Sequence, residues 1–197
     1  MMRILPALTL LTLAACGQSA PERPPLDTAP LAGASIGGDF ELVSETGEPV
    51  RWDDFAGKWR MVYFGYTFCP DVCPFDVQRM LAGYKTFAEN HPDLAETVVP
   101  IFITVDPERD TPAKVAEFTD AFSPALLGLT GSREQIDAAA KTFRIYHGKG
   151  EVMENGGYLM DHSNQGYLFD PQGKPIALLP VEKSAAGVAA ELEKWVR

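Results

Sequence analysis

Cysteine and histidine are scarce in this chain, with three of each among 197 residues. Lys and Arg form no run anywhere, and 17 basic residues face 27 acidic ones, for a formal net charge of −10. A phosphate-neutralising patch is therefore lacking, which argues against nucleic-acid binding. The acidic balance favours solubility and basic or cationic partners without choosing among them. No internal repeat is found, and the one markedly apolar stretch, Ile4 to Leu13, is too short to span a membrane. What is present, 46% hydrophobic and 22% charged residues, reads as one globular domain.

Met1 to Ala15 combine one Arg, the apolar stretch and two small residues, the layout of a secretory signal peptide. The segment Leu13-Ala14-Ala15-Cys16-Gly17 resembles a bacterial lipoprotein cleavage box, in which Cys16 becomes the acylated first residue. The expectation is an exported protein, lipid-anchored on the periplasmic side of the cytoplasmic membrane or on the outer membrane, a choice the box itself does not make. Lipidation of Cys16 leaves Cys69 and Cys73 as a pair. Outside the cytoplasm such a pair tends towards the disulfide unless a partner reduces it or a metal holds it. Residues 17–37 are rich in Pro, Ala and Gly without apolar periodicity. They read as a flexible tether running from Cys16 to residue 37, with the folded domain over 38–197.

Within that domain, Phe40 to Val43 and Val50 to Trp52 are short strand candidates around a turn at Glu45 to Glu48. Arg60 to Tyr66 is almost continuously apolar, as a strand buried on both faces would be. Val77, Met80, Leu81, Tyr84, Phe87 and Ala88 then recur at helical spacing, predicting a helix over 74–90 with Pro74 at its first position. Thr97 to Val105 reads as a second buried strand, and Thr111-Pro112 as the start of a helix through Phe122. Ala125 to Leu129 is a further strand candidate, and Ser132 to Gln135 a capping box opening a helix to Phe143. Gln165 to Asp170 and Pro175 to Pro180 form a hairpin pattern, followed by an amphipathic helix from Ser184 to Val196. Strands alternating with helices and closing on a hairpin imply an α/β fold with a mixed central sheet.

The chemistry concentrates in Phe64 to Pro74, where the chain leaves a buried strand and enters a helix. Thiols near a helix N-terminus feel its partial positive charge, which lowers their pKa and suits either a metal or a disulfide partner. Three residues separate Cys69 from Cys73, where dithiol oxidoreductases typically have two. The wider spacing leaves room for a shared metal and still permits a disulfide. Imidazole is the usual complement to a thiolate pair in a selective metal site. His91 falls at a predicted helix end, His147 in a Gly-flanked loop that should face solvent, and His162 just before the hairpin strand. Spacing alone does not choose among them.

Three segments carry a resemblance to the SCO/SenC family of copper proteins, which assist assembly of the binuclear copper centre of cytochrome c oxidase. They are Phe64 to Pro74, with its Cys-Pro-Asp-Val-Cys-Pro core, Val105 to Pro112, and Tyr158 to Ser163, with its Asp-His-Ser. The resemblance covers residues 38–197 and implies a thioredoxin-like fold with Cys69, Cys73 and His162 as ligands of Cu(I) or Cu(II). The implied partners are the copper-bearing subunit of the oxidase and another periplasmic copper chaperone or a thiol reductase. Two thiolates and one imidazole suit Cu(I) on chemical grounds as well, with zinc the main competitor. Thiol-disulfide exchange by Cys69 and Cys73, and a copper or redox sensor, are the alternative functions. A peroxiredoxin-type site is not expected, because its Thr-x-x-Cys arrangement is absent. Around the core ligands, Asp106 to Pro112 either shapes the site or caps a helix through Thr111. Asp161 is a candidate to orient His162, and Met153 and Met160 are read as core or gap-filling residues before weak ligands.

Overall fold

The computed structural model describes residues 23–153 and 156–197. Cys16 and the signal-peptide segment lie outside the described residues. The chain runs through β1 (Glu41–Ser44), β2 (Pro49–Arg51), β3 (Trp59–Gly65), α1 (Val72–Asn90), α2 (Pro92–Ala95), β4 (Val98–Thr104) and α3 (Pro112–Asp120). It continues through β5 (Leu127–Thr130), α4 (Arg133–Thr142), β6 (His147–Val152), β7 (Tyr158–His162), β8 (Gly166–Phe169), β9 (Pro175–Leu179) and α5 (Ala185–Trp195).

The apolar run of β3 is buried at every position, as expected of a strand covered on both faces, and it lies inside the sheet between β4 and β8. Seven strands are ordered β2-β1-β5-β4-β3-β8-β9, with β3, β4 and β5 parallel and the outer pairs antiparallel. The parallel β3-α1-β4 unit, followed by the β8–β9 hairpin and α5, is the expected thioredoxin-like α/β fold, extended by the β1–β2 hairpin. A second sheet contains only β6 and β7, a ribbon absent from the reading of the sequence. Among the described residues no helix is long and apolar enough to cross a membrane.

Helix α1 packs along α5, and Gly83 permits the approach: a Cβ there would lie 2.6 Å from both the Ala185 carbonyl oxygen and the Val188 Cβ. Phe143, just past α4, fills the space between Phe40, Trp52, Phe64 and Phe169, with ring centroids 5.3–6.2 Å away. Such edge-on and tilted pairs add specific geometry to the apolar burial that dominates folding.

Two expectations need correction here. The tether is shorter than expected: residues 26–28 form a 3₁₀ turn, Ala29 is buried, and Leu31 N–H donates to the Ile176 carbonyl at 3.0 Å. Isolated Leu26, Leu31 and Ile36 suffice to dock this segment on the core, although they show no periodicity. Helix α1 also starts two residues earlier, so Pro74 is its third residue. The missing proline N–H is tolerated there for the same reason as at the first position, since no residue of the first turn has an intrahelical acceptor.

Candidate metal centre

The end of β3 and the start of α1 present the two thiols differently. Cys69 lies half-buried in the turn between them, and its Sγ accepts the Cys73 N–H, one of the orphan donors of the helix, at 3.3 Å. Its thiol is held well below the ordinary range, chiefly by a hydrogen bond from the Cys73 thiol. Burial opposes this, and the N–H groups of Cys73 and Asp71 add to it. Cys73 is fully buried, and its thiol is pushed up because its proton serves Cys69 and because burial disfavours a second charge. The pair thus favours one thiolate and one thiol, both free of a disulfide.

His162 ends β7, and its Nε2 lies 3.3 Å from Cys73 Sγ. Its Nδ1 is 2.8 Å from the Ser163 carbonyl, which can only accept, so Nδ1 carries the proton. In the neutral ring this leaves the Nε2 lone pair facing the thiols, the form a metal requires. The Tyr66 ring meets the imidazole edge-on at 5.7 Å and helps fix its plane.

Buried polar groups support this surface from beneath. Tyr63 O–H donates to Asp76 Oδ2 at 3.1 Å, and Arg79 reaches the other oxygen of this nearly inaccessible carboxyl at 3.3 Å. Burial raises the Asp76 pKa. Asp110, also fully buried, accepts the Thr67 N–H at 2.9 Å and the Thr67 hydroxyl at 2.6 Å, fixing the loop two residues before Cys69.

Among the described residues no set of three or more His, Cys, Asp or Glu side chains already stands arranged to hold a metal ion. The three donors instead touch one another. With metal–sulfur and metal–nitrogen bonds of about 2.3 and 2.0 Å, a trigonal centre separates S from N by roughly 3.8 Å. The observed 3.3 Å contact therefore has to open by only about half an ångström. A soft or borderline ion fits this donor set with small side-chain movements.

The family model described as SCO1/SenC matches residues 28–197. The chain belongs to the SCO1/SenC family. Protein SenC of Rhodobacter capsulatus is 49% identical over 144 residues, covering 72% of this chain and 62% of that protein. The mitochondrial SCO2 homologue of Mus musculus is 44% identical over 147 residues, covering 74% of this chain and 57% of its own length. The chain thus matches less than two thirds of these curated relatives. The crystal structure of Arabidopsis thaliana ScoI with copper bound superposes with a TM-score of 0.75 at 38% identity, covering 81% of this chain and 96% of that one.

Of the residues expected at a SCO1/SenC-type site, the structure brings Cys69, Cys73 and His162 together and leaves the other histidines apart. His91 caps the end of α1 against Phe87. His147 corrects the sequence reading: it is a strand residue directly opposite His162, largely buried, with Nε2 3.3 Å from Asp137. Asp161 is exposed, and the Ser163 carbonyl is the group that engages His162 Nδ1. Met160 is buried as expected, whereas Met153 is exposed on the ribbon and fills no core. Thr111 does cap α3, accepting the Lys114 N–H, while Asp110 beside it acts on the cysteine loop. Sequence reasoning missed Asp76, and it placed Tyr66 and Asp110 within the segments Phe64 to Pro74 and Asp106 to Pro112 without giving either residue a role of its own.

Proposed function

We propose that Cys69, Cys73 and His162 bind copper, and that the protein delivers it to the binuclear copper centre (CuA) in the copper-bearing subunit of cytochrome c oxidase. The observation that carries this reading is the 3.3 Å contact between Cys73 Sγ and His162 Nε2, across 89 residues of sequence, beside a thiolate-prone Cys69. Two soft sulfur donors and one imidazole suit Cu(I) above zinc, and the relative from Arabidopsis thaliana carries copper. Three protein ligands, two of them only half-buried, suit a carrier. An acceptor thiolate or imidazole enters at Cys69, and the ion passes by ligand exchange without substrate turnover.

Purified protein loaded with Cu(I) should hold about one ion per chain, with thiolate-to-copper absorption lost in Cys69→Ser and Cys73→Ser. Unchanged stoichiometry and affinity in His162→Ala would remove His162 from the ligand set. Tighter binding of zinc than of copper would overturn the choice of metal.

The contrast between the two thiols favours a second role. A half-buried, acidic Cys69 beside a buried, high-pKa Cys73 matches the nucleophile and resolving thiol of a disulfide reductase that keeps acceptor cysteines reduced. Disulfide reduction retained in His162→Ala, with copper transfer lost, would assign that activity to the cysteines alone. Both roles belong outside the cytoplasm, supplied by another periplasmic copper chaperone or a thiol reductase. In this reading the chain is exported and anchored through lipidated Cys16 on the periplasmic side of the cytoplasmic membrane. Mass spectrometry of the mature N-terminus should find a diacylglyceryl group on Cys16, and an unmodified residue there would refute the anchor.

A further inference from the structure

The ribbon carrying His162 shares no strand ladder with the seven-stranded sheet, since β6 and β7 pair only with each other. The main chain ties the ribbon to the sheet only where β7 runs on into β8 at Gly166, so side-chain contacts hold the rest of β7 against the domain. Tyr158 and Met160, two residues apart on one face of β7, are buried against the domain, and the polar contacts converge on Tyr158. Its hydroxyl donates to Asp106 at 3.0 Å and its carbonyl accepts from Arg109 Nη1 at 3.0 Å. The Arg109 guanidinium carbon lies 3.6 Å from the Tyr158 ring centroid. The Nε of Arg109 is ion-paired with the fully buried Asp106 carboxylate, which anchors the guanidinium to the end of β4.

The same guanidinium reaches the other half of the site. It lies 4.9 Å from the Phe68 ring and 5.9 Å from the Tyr66 ring, both in the loop that leads to Cys69. Tyr66 in turn contacts the His162 imidazole. One residue after Arg109, Asp110 holds Thr67 of that loop. A single turn, residues 106–110, thus grips the cysteine loop on one side and the histidine ribbon on the other. Lys149 also approaches the Tyr158 ring, at 3.9 Å, and Glu108 at 3.6 Å, but both charges are about half exposed and contribute little.

We propose that Arg109 is a positioning residue for His162: its stacked, carbonyl-bonded guanidinium holds the ribbon so that Nε2 meets Cys73, and its release lets the imidazole withdraw. Arginine is required because only a planar guanidinium can pair with Asp106, stack on Tyr158 and bond its carbonyl together. The inference deepens the copper reading in one respect only, that withdrawal of His162 would favour metal release.

Arg109→Lys keeps a charge opposite Asp106 but cannot at the same time stack on Tyr158 and bond its carbonyl. Asp106→Asn with Arg109→Met removes both charges and avoids a buried unpaired ion. In metal-free protein, amide exchange over residues 158–162 should accelerate about tenfold in both variants while β3 stays protected, and the His162 ring ¹⁵N shifts should move. In the metal arm, Cu(I) competition should show about tenfold or greater loss of affinity at unchanged stoichiometry, the usual effect of disturbing a ligand's supporting shell. Unchanged ribbon exchange and ring shifts in Arg109→Lys would overturn the proposal. Equal acceleration in β3 would also overturn it, by making Arg109 a general stabiliser. Wild-type protein that binds no copper, with a ribbon that still loosens, would refute the copper reading and support the positioning role.

Discussion

Replacing Asp110 by Ala tests whether the loop before Cys69 is held from behind. The carboxyl is fully buried and takes three hydrogen bonds, from Thr67 N–H at 2.9 Å, Thr67 Oγ at 2.6 Å and Thr104 Oγ at 2.5 Å. The hydroxyls can rotate towards other partners, so their loss costs about 1 kcal/mol each. The Thr67 N–H is fixed by the backbone, and stranding it adds about 1–3 kcal/mol. Removing a buried acid also removes its desolvation penalty, which leaves a net loss of about 3 kcal/mol. Against a typical stability of about 5–15 kcal/mol the variant still folds, melting roughly 6–12 °C lower. The buried Trp52, Trp59 and Trp195 give a fluorescence reporter for the transition. Burial raises the Asp110 pKa in the folded state, so the neutral carboxyl's contribution is complete below the unfolded value of about 3.9. That contribution is lost as pH rises through the raised folded value, and the gap between wild type and variant should widen towards acid. The freed loop should also weaken the helix-end contacts of Cys69 and slow its alkylation at pH 6. A loss under about 1 kcal/mol with unchanged Cys69 reactivity would refute the argument.

Brief alkylation of the reduced protein at about pH 6 should modify Cys69 and spare Cys73, because the first thiol is depressed to about 3 and half-exposed while the second is raised and buried. Peptide mass spectrometry reads the result, and equal labelling would contradict the assigned asymmetry. Gly83→Ala should destabilise the domain by about 1–3 kcal/mol, since its Cβ falls 2.6 Å from the Ala185 carbonyl oxygen and forces α1 and α5 apart. A urea midpoint equal to wild type would show that the helices have slack. Phe143→Ala, which opens a cavity among Phe40, Trp52, Phe64 and Phe169, should cost about 3–5 kcal/mol and leave metal stoichiometry unchanged in the folded fraction.

The parts legible in the sequence are those whose residue pattern is local. The continuous apolar run of β3 and the three- and four-residue spacing in α1 reflect burial of whole faces, and Ser132 with Gln135 forms the capping box that their spacing implied. The ribbon was obscured because β6 contains Gly148, Lys149, Gly150 and Glu151, which have low strand preference, and only Tyr158 and Met160 alternate inward on β7. The two cysteines were legible from their place at a strand-to-helix junction. His162 was legible only through the resemblance of its Asp-His-Ser segment, because its approach to Cys73 depends on a ribbon that folds back across 89 residues. The segment Asp106 to Pro112 read as either site-shaping or helix-capping, and the burial of Asp106 and Asp110 shows which of its acids turn inward.

Helix α1 separates the ends of the described chain from the thiols. Its first turn holds Cys73, whereas Asn90 at its other end bonds Glu193, whose carbonyl accepts from Arg23 at 3.0 Å. Arg197 closes the same region by donating to the Pro24 carbonyl at 2.6 Å. Nineteen helical residues span about 28 Å, so Arg23 and Arg197 share one pole and Cys73 begins the other. A tag or a bead attached at that shared pole stands a helix length away from the site, so attachment near Arg23 or near Arg197 should leave Cys69 equally open to alkylation.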